Sequence, residues 1–134
     1  EIYPKDLKQR AIVDQWIDLA SIHVQNGVGK LLWNKIFAPM MKAEIDQMSL
    51  ADGAKWLARD LPILDERLGK TKYITGDQFT LADIAIVAST DPLEVVEIDV
   101  TQYPNLAKYR EELRTQDWYQ KVHKVYGEAL MSKS

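Results

Sequence analysis

The 134-residue sequence contains no cysteine. Disulfides, thiolate metal sites and cysteine nucleophiles are therefore all excluded. Its only two histidines, His23 and His123, stand far apart with no acids at ligand spacing around them, so no metal centre is expected. Six glycines and five prolines rule out a collagen-like or low-complexity chain. No apolar run approaches the roughly 20 residues of a membrane-spanning helix, and no signal-peptide pattern is present, so no membrane partner is expected. A net charge of −3 gives no general attraction for nucleic acid or an anionic bilayer. Asn26-Gly27-Val28-Gly29-Lys30 lacks the spacing of a phosphate-binding loop, and Ser21 and Ser89 lack a nucleophile-elbow context. What remains is 46% hydrophobic and 28% charged, the balance of an ordinary globular chain forming one domain over residues 1–134. The first residue is Glu1, and methionine is usually retained before so large a residue, so the chain is expected to be a piece of a longer protein.

Helical periodicity dominates. From about Asp6, Val13, Trp16, Ile17, Ala20, Val24, Val28, Leu31 and Leu32 recur at steps of three and four, with Ile12, Leu19, Ile22 and Ile36 widening the stripe. A helix apolar on more than one side is buried on more than one side. Pro39 is expected to end it, giving a helix roughly 48 Å long at 1.5 Å per residue. A second helix is expected near Ser49, where Ser49 and Asp52 have capping-box spacing, with Ala54, Leu57, Leu61, Leu64 and Leu68 as its seam against the first. Pro62 predicts a kink or break, and Gly69 a C-cap. Pro104 opens a short helix to about Arg114. Asp117 opens the last, with Trp118, Val122, Val125 and Leu130 expected inward.

The sharpest local signal is Phe79-Thr80-Leu81-Ala82-Asp83-Ile84. Thr80 can cap the Asp83 N–H while the Asp83 carboxylate reaches back to the Thr80 N–H, and Phe79 and Ile84 form a hydrophobic staple. These residues fix the start of a buried helix running to about Ser89, and the role expected of Asp83 is structural.

Gly76-Asp77-Gln78 followed by that run resembles the capping segment of the central helix in the C-terminal domain of cytosolic glutathione transferases. Tyr3-Pro4-Lys5-Asp6, Val13-Asp14-Gln15-Trp16 and Tyr103-Pro104-Asn105-Leu106 are similar to other landmarks of that domain in the same order. The stretch His23 to Pro39, with Lys30, Leu31, Trp33 and Pro39, resembles phi-like classes and some bacterial relatives. The resemblance implies an all-α bundle of about five helices, two of them long and antiparallel. It also implies a cytoplasmic, dimeric parent enzyme that conjugates glutathione, its co-substrate, to small hydrophobic electrophiles. In such enzymes the thiol-activating residue and the glutathione site lie on an N-terminal thioredoxin-like domain. Nothing here matches that domain, so this chain alone is expected to be inactive and to hold no cofactor or catalytic residue.

The same resemblance maps Val24, Val28 and Leu32, with Gly29 giving room beside them, onto the wall of the electrophile pocket. Read from the residues alone, this face serves equally as core. His23 has no neighbour to make it a general base. Asp14 and Asp18 are expected to be solvated or paired with Arg10 or another chain. An alternative within the resemblance is a non-catalytic interaction module, as in translation elongation factor gamma subunits and some tRNA synthetases. A free-standing helical domain is a third.

Overall fold

A computed structural model describes residues 2–123. Asp6 opens the first helix, its carboxylate accepting the Gln9 N–H at 3.0 Å. Pro4 lies just ahead, its carbonyl accepting from Arg10 Nε at 3.1 Å. The helix, α1, runs over residues 7–40 in one sweep: Leu7–Asp18, a wide π turn Leu19–Val24, then Gln25–Leu32, a second wide turn Trp33–Phe37, and Ala38–Met40. Pro39 does not end it. The wide turn just before it shifts hydrogen bonding from i−4 to i−5, as in the Ala38 N–H to Trp33 carbonyl bond. An ordinary turn there would set the proline ring against the carbonyl four residues back and demand an N–H that proline lacks.

The second helix, α2, is Gln47–Leu68. Its cap is Asp46, whose carboxylate accepts the Ser49 N–H at 2.9 Å, so the expected Ser49–Asp52 box is not the start. Buried Asn34 holds the entry from the side: its Oδ1 accepts the Asp46 N–H at 2.8 Å and its amide donates to the Lys30 carbonyl at 2.9 Å. The helix is continuous through Pro62 and ends at Gly69. Pro62 and Ala58 both face solvent, where the carbonyl orphaned by the proline can reach water.

The pairs Lys30 with Ser49, Gly27 with Leu57 and Trp16 with Arg67 run in opposite directions along the two helices, which are therefore antiparallel. At their crossing, glycine meets glycine: a Cβ on Gly53 would lie 2.9 Å from the Gly27 carbonyl oxygen. Leu57, Leu61 and Leu64 are buried against Val13, Ala20, Val24, Val28 and Leu31. Each such side chain contributes about 1.5–3 kcal/mol of burial. Ala54, expected in the seam, is exposed.

The central helix, α3, is Leu81–Thr90, with Ala82, Asp83, Ile86, Val87, Ser89 and Thr90 buried. The box forms as the sequence predicts, and its carboxylate arm is the stronger. Asp83 Oδ2 accepts the Thr80 N–H at 2.8 Å, whereas the Thr80 hydroxyl is shared between that same oxygen at 3.4 Å and Thr75 at 3.3 Å. Oδ1 reaches further, accepting the Ile74 N–H at 2.9 Å and the Tyr109 hydroxyl at 2.6 Å. Phe79 packs on Tyr73 and Trp118, and Ile84 is half-buried. Gly76, at φ 145°, closes the preceding turn with two bonds to Tyr73, a conformation that favours glycine.

Pro104–Arg114 forms α4, capped from another helix: Asp65 on α2 accepts the Asn105 and Leu106 N–H groups at 2.8 and 3.0 Å. The last described helix, α5, covers 117–123. Trp118 packs inward as expected, but Val122 is exposed, and Val125 and Leu130 lie outside the described residues. The five helices form an all-α bundle, with no strand among the described residues.

Replacing Asp83 with alanine strips four contacts and leaves buried donors unpaired, so Asp83→Ala should lose about 3–5 kcal/mol in urea denaturation. Asp83→Asn, which can still accept from Ile74 and Tyr109, should lose about 1–2 kcal/mol; equal midpoints for all three proteins would refute the role. Gly53→Ala should cost about 1–3 kcal/mol by prising the helices apart, read in the same experiment.

Candidate ligand-binding face

The wide second stripe on α1 divides between two surroundings. Val24 and Val28, 0% and 2% exposed, face the chain's own core, and Leu32 is half-buried against it. Gly29 is exposed, with nothing within 4 Å of where a Cβ would stand. The four residues predicted to form one wall are thus not brought together on an open surface. Within this chain, Val24 and Val28 serve as packing, because they meet the side of α1 that covers α2 and α3.

The open apolar face lies at steps of four from Gly29, at Trp33 and Phe37, 46% and 47% exposed. Met40 and Met41 continue it at 75% and 67%. Large apolar side chains exposed in a row are unusual on a monomer surface and mark contact with a ligand or another polypeptide. Beside this row, Asn26, Gly29, Lys30, Trp33, Ser49 and Trp56 line an open groove of about 490 Å³. The Lys30 ammonium lies 4.9 Å from the centre of the Trp56 ring and 3.4 Å from Ser49 Oγ. Trp33 and Phe37 carried no distinct signal in the sequence, since periodicity does not tell an exposed apolar stripe from a buried one. Their four-residue spacing from Gly29 is the trace that was there to follow.

Two other polar clusters bear on chemistry. A groove of about 650 Å³ between α1 and α2 brings Asp14, Asp18 and His23 together with Trp16, Leu19 and Ile63. Asp14 accepts the Tyr3 hydroxyl at 2.8 Å, while Arg10 stacks over the Tyr3 ring instead of pairing with the acid. Hydrogen bonding with Asp14, then burial, raises the Tyr3 hydroxyl above its ordinary pKa. His23 has no hydrogen-bond partner among the described residues, so nothing orients it as a base.

Around α3 and α4, Asp91 accepts from Arg114, Tyr119 and His123, which ties α5 to the body of the bundle. Buried Arg110 donates to the Thr90 carbonyl at 2.9 Å and to Glu94 at 2.8 Å. Burial pushes the Glu94 carboxyl up, but the bond from Arg110, its own backbone N–H and the Arg110 and Arg114 charges outweigh that and hold it below its ordinary value. Burial first, and then Asp83, push the Tyr109 hydroxyl far above its usual range, so it stays a neutral donor. These clusters hold the fold and do not touch the open face. Among the described residues no three His, Cys, Asp or Glu side chains are grouped to hold a metal ion. No described helix is long and apolar enough to cross a membrane.

The antiparallel long pair, the buried capped helix behind it and the open face on α1 define a helical ligand-domain architecture. Residues 30–117 match the family model described as "Glutathione S-transferase, C-terminal domain". This chain belongs to that family. A glutathione S-transferase of Arabidopsis thaliana is 29% identical over 93 residues, covering 69% of this chain and 43% of the relative. A probable glutathione S-transferase of Oryza sativa subsp. japonica is 33% identical over 86 residues, covering 63% and 40%. Among solved structures, a glutathione transferase from Populus trichocarpa superposes with a TM-score of 0.81 at 26% identity, covering 92% of this chain and 59% of that one. A delta-class glutathione transferase of Nilaparvata lugens gives 0.70 at 33%, covering 84% and 50%. The chain spans less than half the length of either plant relative.

The Glu94 arrangement sets a pH dependence. Its folded pKa is depressed, so its contribution is present above the ordinary value of 4.5 and is lost as pH falls through the folded value. Urea midpoints measured from pH 7 downward should therefore fall below about pH 5, and more shallowly in Glu94→Gln. Parallel curves for the two proteins would remove Glu94 from the account.

Proposed function

We propose that this chain is the electrophile-binding domain of a glutathione transferase that conjugates glutathione to small hydrophobic compounds. The observation that carries the reading is the exposed row Gly29, Trp33 and Phe37 on a helix whose other side is already packed. Conjugation needs a thiolate held beside an electrophilic carbon, and holding the two together supplies much of the rate. The thiolate and its activating group belong to a thioredoxin-like half of the same protein. This chain contributes an apolar wall that takes the electrophile out of water and orients it toward the sulfur. Val24, Val28 and Leu32 back that wall from within, and Gly29 leaves a gap in it. The parent works as a cytoplasmic dimer, in detoxification of such compounds.

With this domain joined to a thioredoxin-like half, Trp33→Ala and Phe37→Ala should each raise KM for a hydrophobic aryl halide about tenfold, the effect of one well-placed apolar contact, while KM for glutathione stays unchanged. Val28→Ala should instead lower stability by about 1–3 kcal/mol with little change in KM. Unchanged aryl-halide kinetics in both aromatic variants would reject the wall. Such a result would favour the interaction-module reading, in which this face meets a protein.

A further inference from the structure

The groove next to Trp33 differs in charge from the rest of the surface. Four other grooves each include carboxylates: Glu94, Glu97, Asp99 and Glu111 in one, Asp77, then Asp14 with Asp18, then Glu111 with Glu112 in the others. The groove of Asn26, Gly29, Lys30, Trp33, Ser49 and Trp56 includes none. No carboxylate among the described residues forms an ion pair with Lys30. Asp46, which precedes α2, turns its Oδ1 to the Ser49 N–H. In a chain of net charge −3, a lysine without an acidic partner, set between an indole face and a hydroxyl, is a local reversal of sign.

We infer that this groove binds a planar aromatic anion, an aryl carboxylate, with its ring between Trp33 and Trp56 and its carboxylate on the Lys30 ammonium. The two indoles supply flat apolar area at low conformational cost. The ammonium is held near the groove by its contact with the Trp56 ring, whose face attracts a cation, and by Ser49 Oγ. Gly29 leaves the floor open, since nothing lies within 4 Å of its Cβ position. A carboxylate arriving there gains a charge-assisted hydrogen bond and displaces no internal ion pair. A neutral aromatic of the same shape gains only the apolar contact. The inference rests on the reading of the Gly29–Trp33 face as a ligand wall and narrows it to one chemical class.

Calorimetric titration of the 134-residue chain with 1-naphthoate and with 1-naphthalenemethanol, its near-isosteric neutral counterpart, tests this. The parent should bind the anion roughly three- to tenfold more tightly, a preference that shrinks as salt rises. Lys30→Met should lose the preference while keeping its affinity for the alcohol, Lys30→Arg should retain it, and Trp56→Leu should weaken both ligands; circular dichroism checks that each variant is folded. Equal binding of both ligands by the parent, or a preference that survives Lys30→Met, overturns the charge selection and leaves the apolar wall standing. Failure of either ligand to bind overturns both. Lys30-dependent naphthoate binding in a rejoined enzyme whose aryl-halide KM ignores Trp33→Ala sinks the electrophile reading alone.

Discussion

One carboxylate organises the centre of this domain. Asp83 is fully buried and accepts from Thr80, Ile74 and Tyr109, so a single charge fixes the start of α3, the turn before it and the face of α4. A buried carboxylate is tolerable only when its lone pairs are satisfied, and here hydrogen bonds to N–H and O–H groups do that without a positive partner. The arrangement sets the entry angle of the most buried helix. That helix is what α1 and α2 close over, so the outward turn of Gly29, Trp33 and Phe37 depends on it indirectly.

Acids recur in this role. Asp6 and Asp46 cap the helices that follow them, and Asp65 caps α4 from the flank of α2. Each places negative charge at a helix N-terminus, where unpaired N–H groups and the helix dipole favour it. The acidic balance of the sequence is therefore partly structural. Lys30, by contrast, stands where none of these carboxylates reaches, which gives one groove its distinct sign.

Much of the fold was legible in the residues. The Thr80–Asp83 box, Pro104 at the start of α4 and the apolar steps of α1 and α2 carry local signals, and local signals survive folding. Three features were not legible. Pro39 and Pro62 read as breaks, but a wide turn before one and solvent beside the other remove the penalty. Asp46 was hidden as a cap because its hold depends on Asn34, from a different helix. The candidate face was misplaced onto Val24 and Val28 because a two-sided apolar helix does not declare which side its own chain will cover. Trp33 and Phe37 become distinguishable only once α2 and α3 have claimed the other side.

The attachment of α5 carries a consequence for how the molecule opens. The α3 entry, its turn and α4 share the bonds of Asp83, so none can leave without stranding buried polar groups in the others. The α5 segment is held by side chains at its rim, the Phe79–Trp118 contact and the ligature of Tyr119 and His123 to Asp91. Such a unit can lift away with little loss to the core, whereas the Asp83 assembly opens only with the whole. Slow amide exchange should therefore be concentrated around Ile74, Thr80 and the helix behind them, with the 117–123 segment exchanging early and independently.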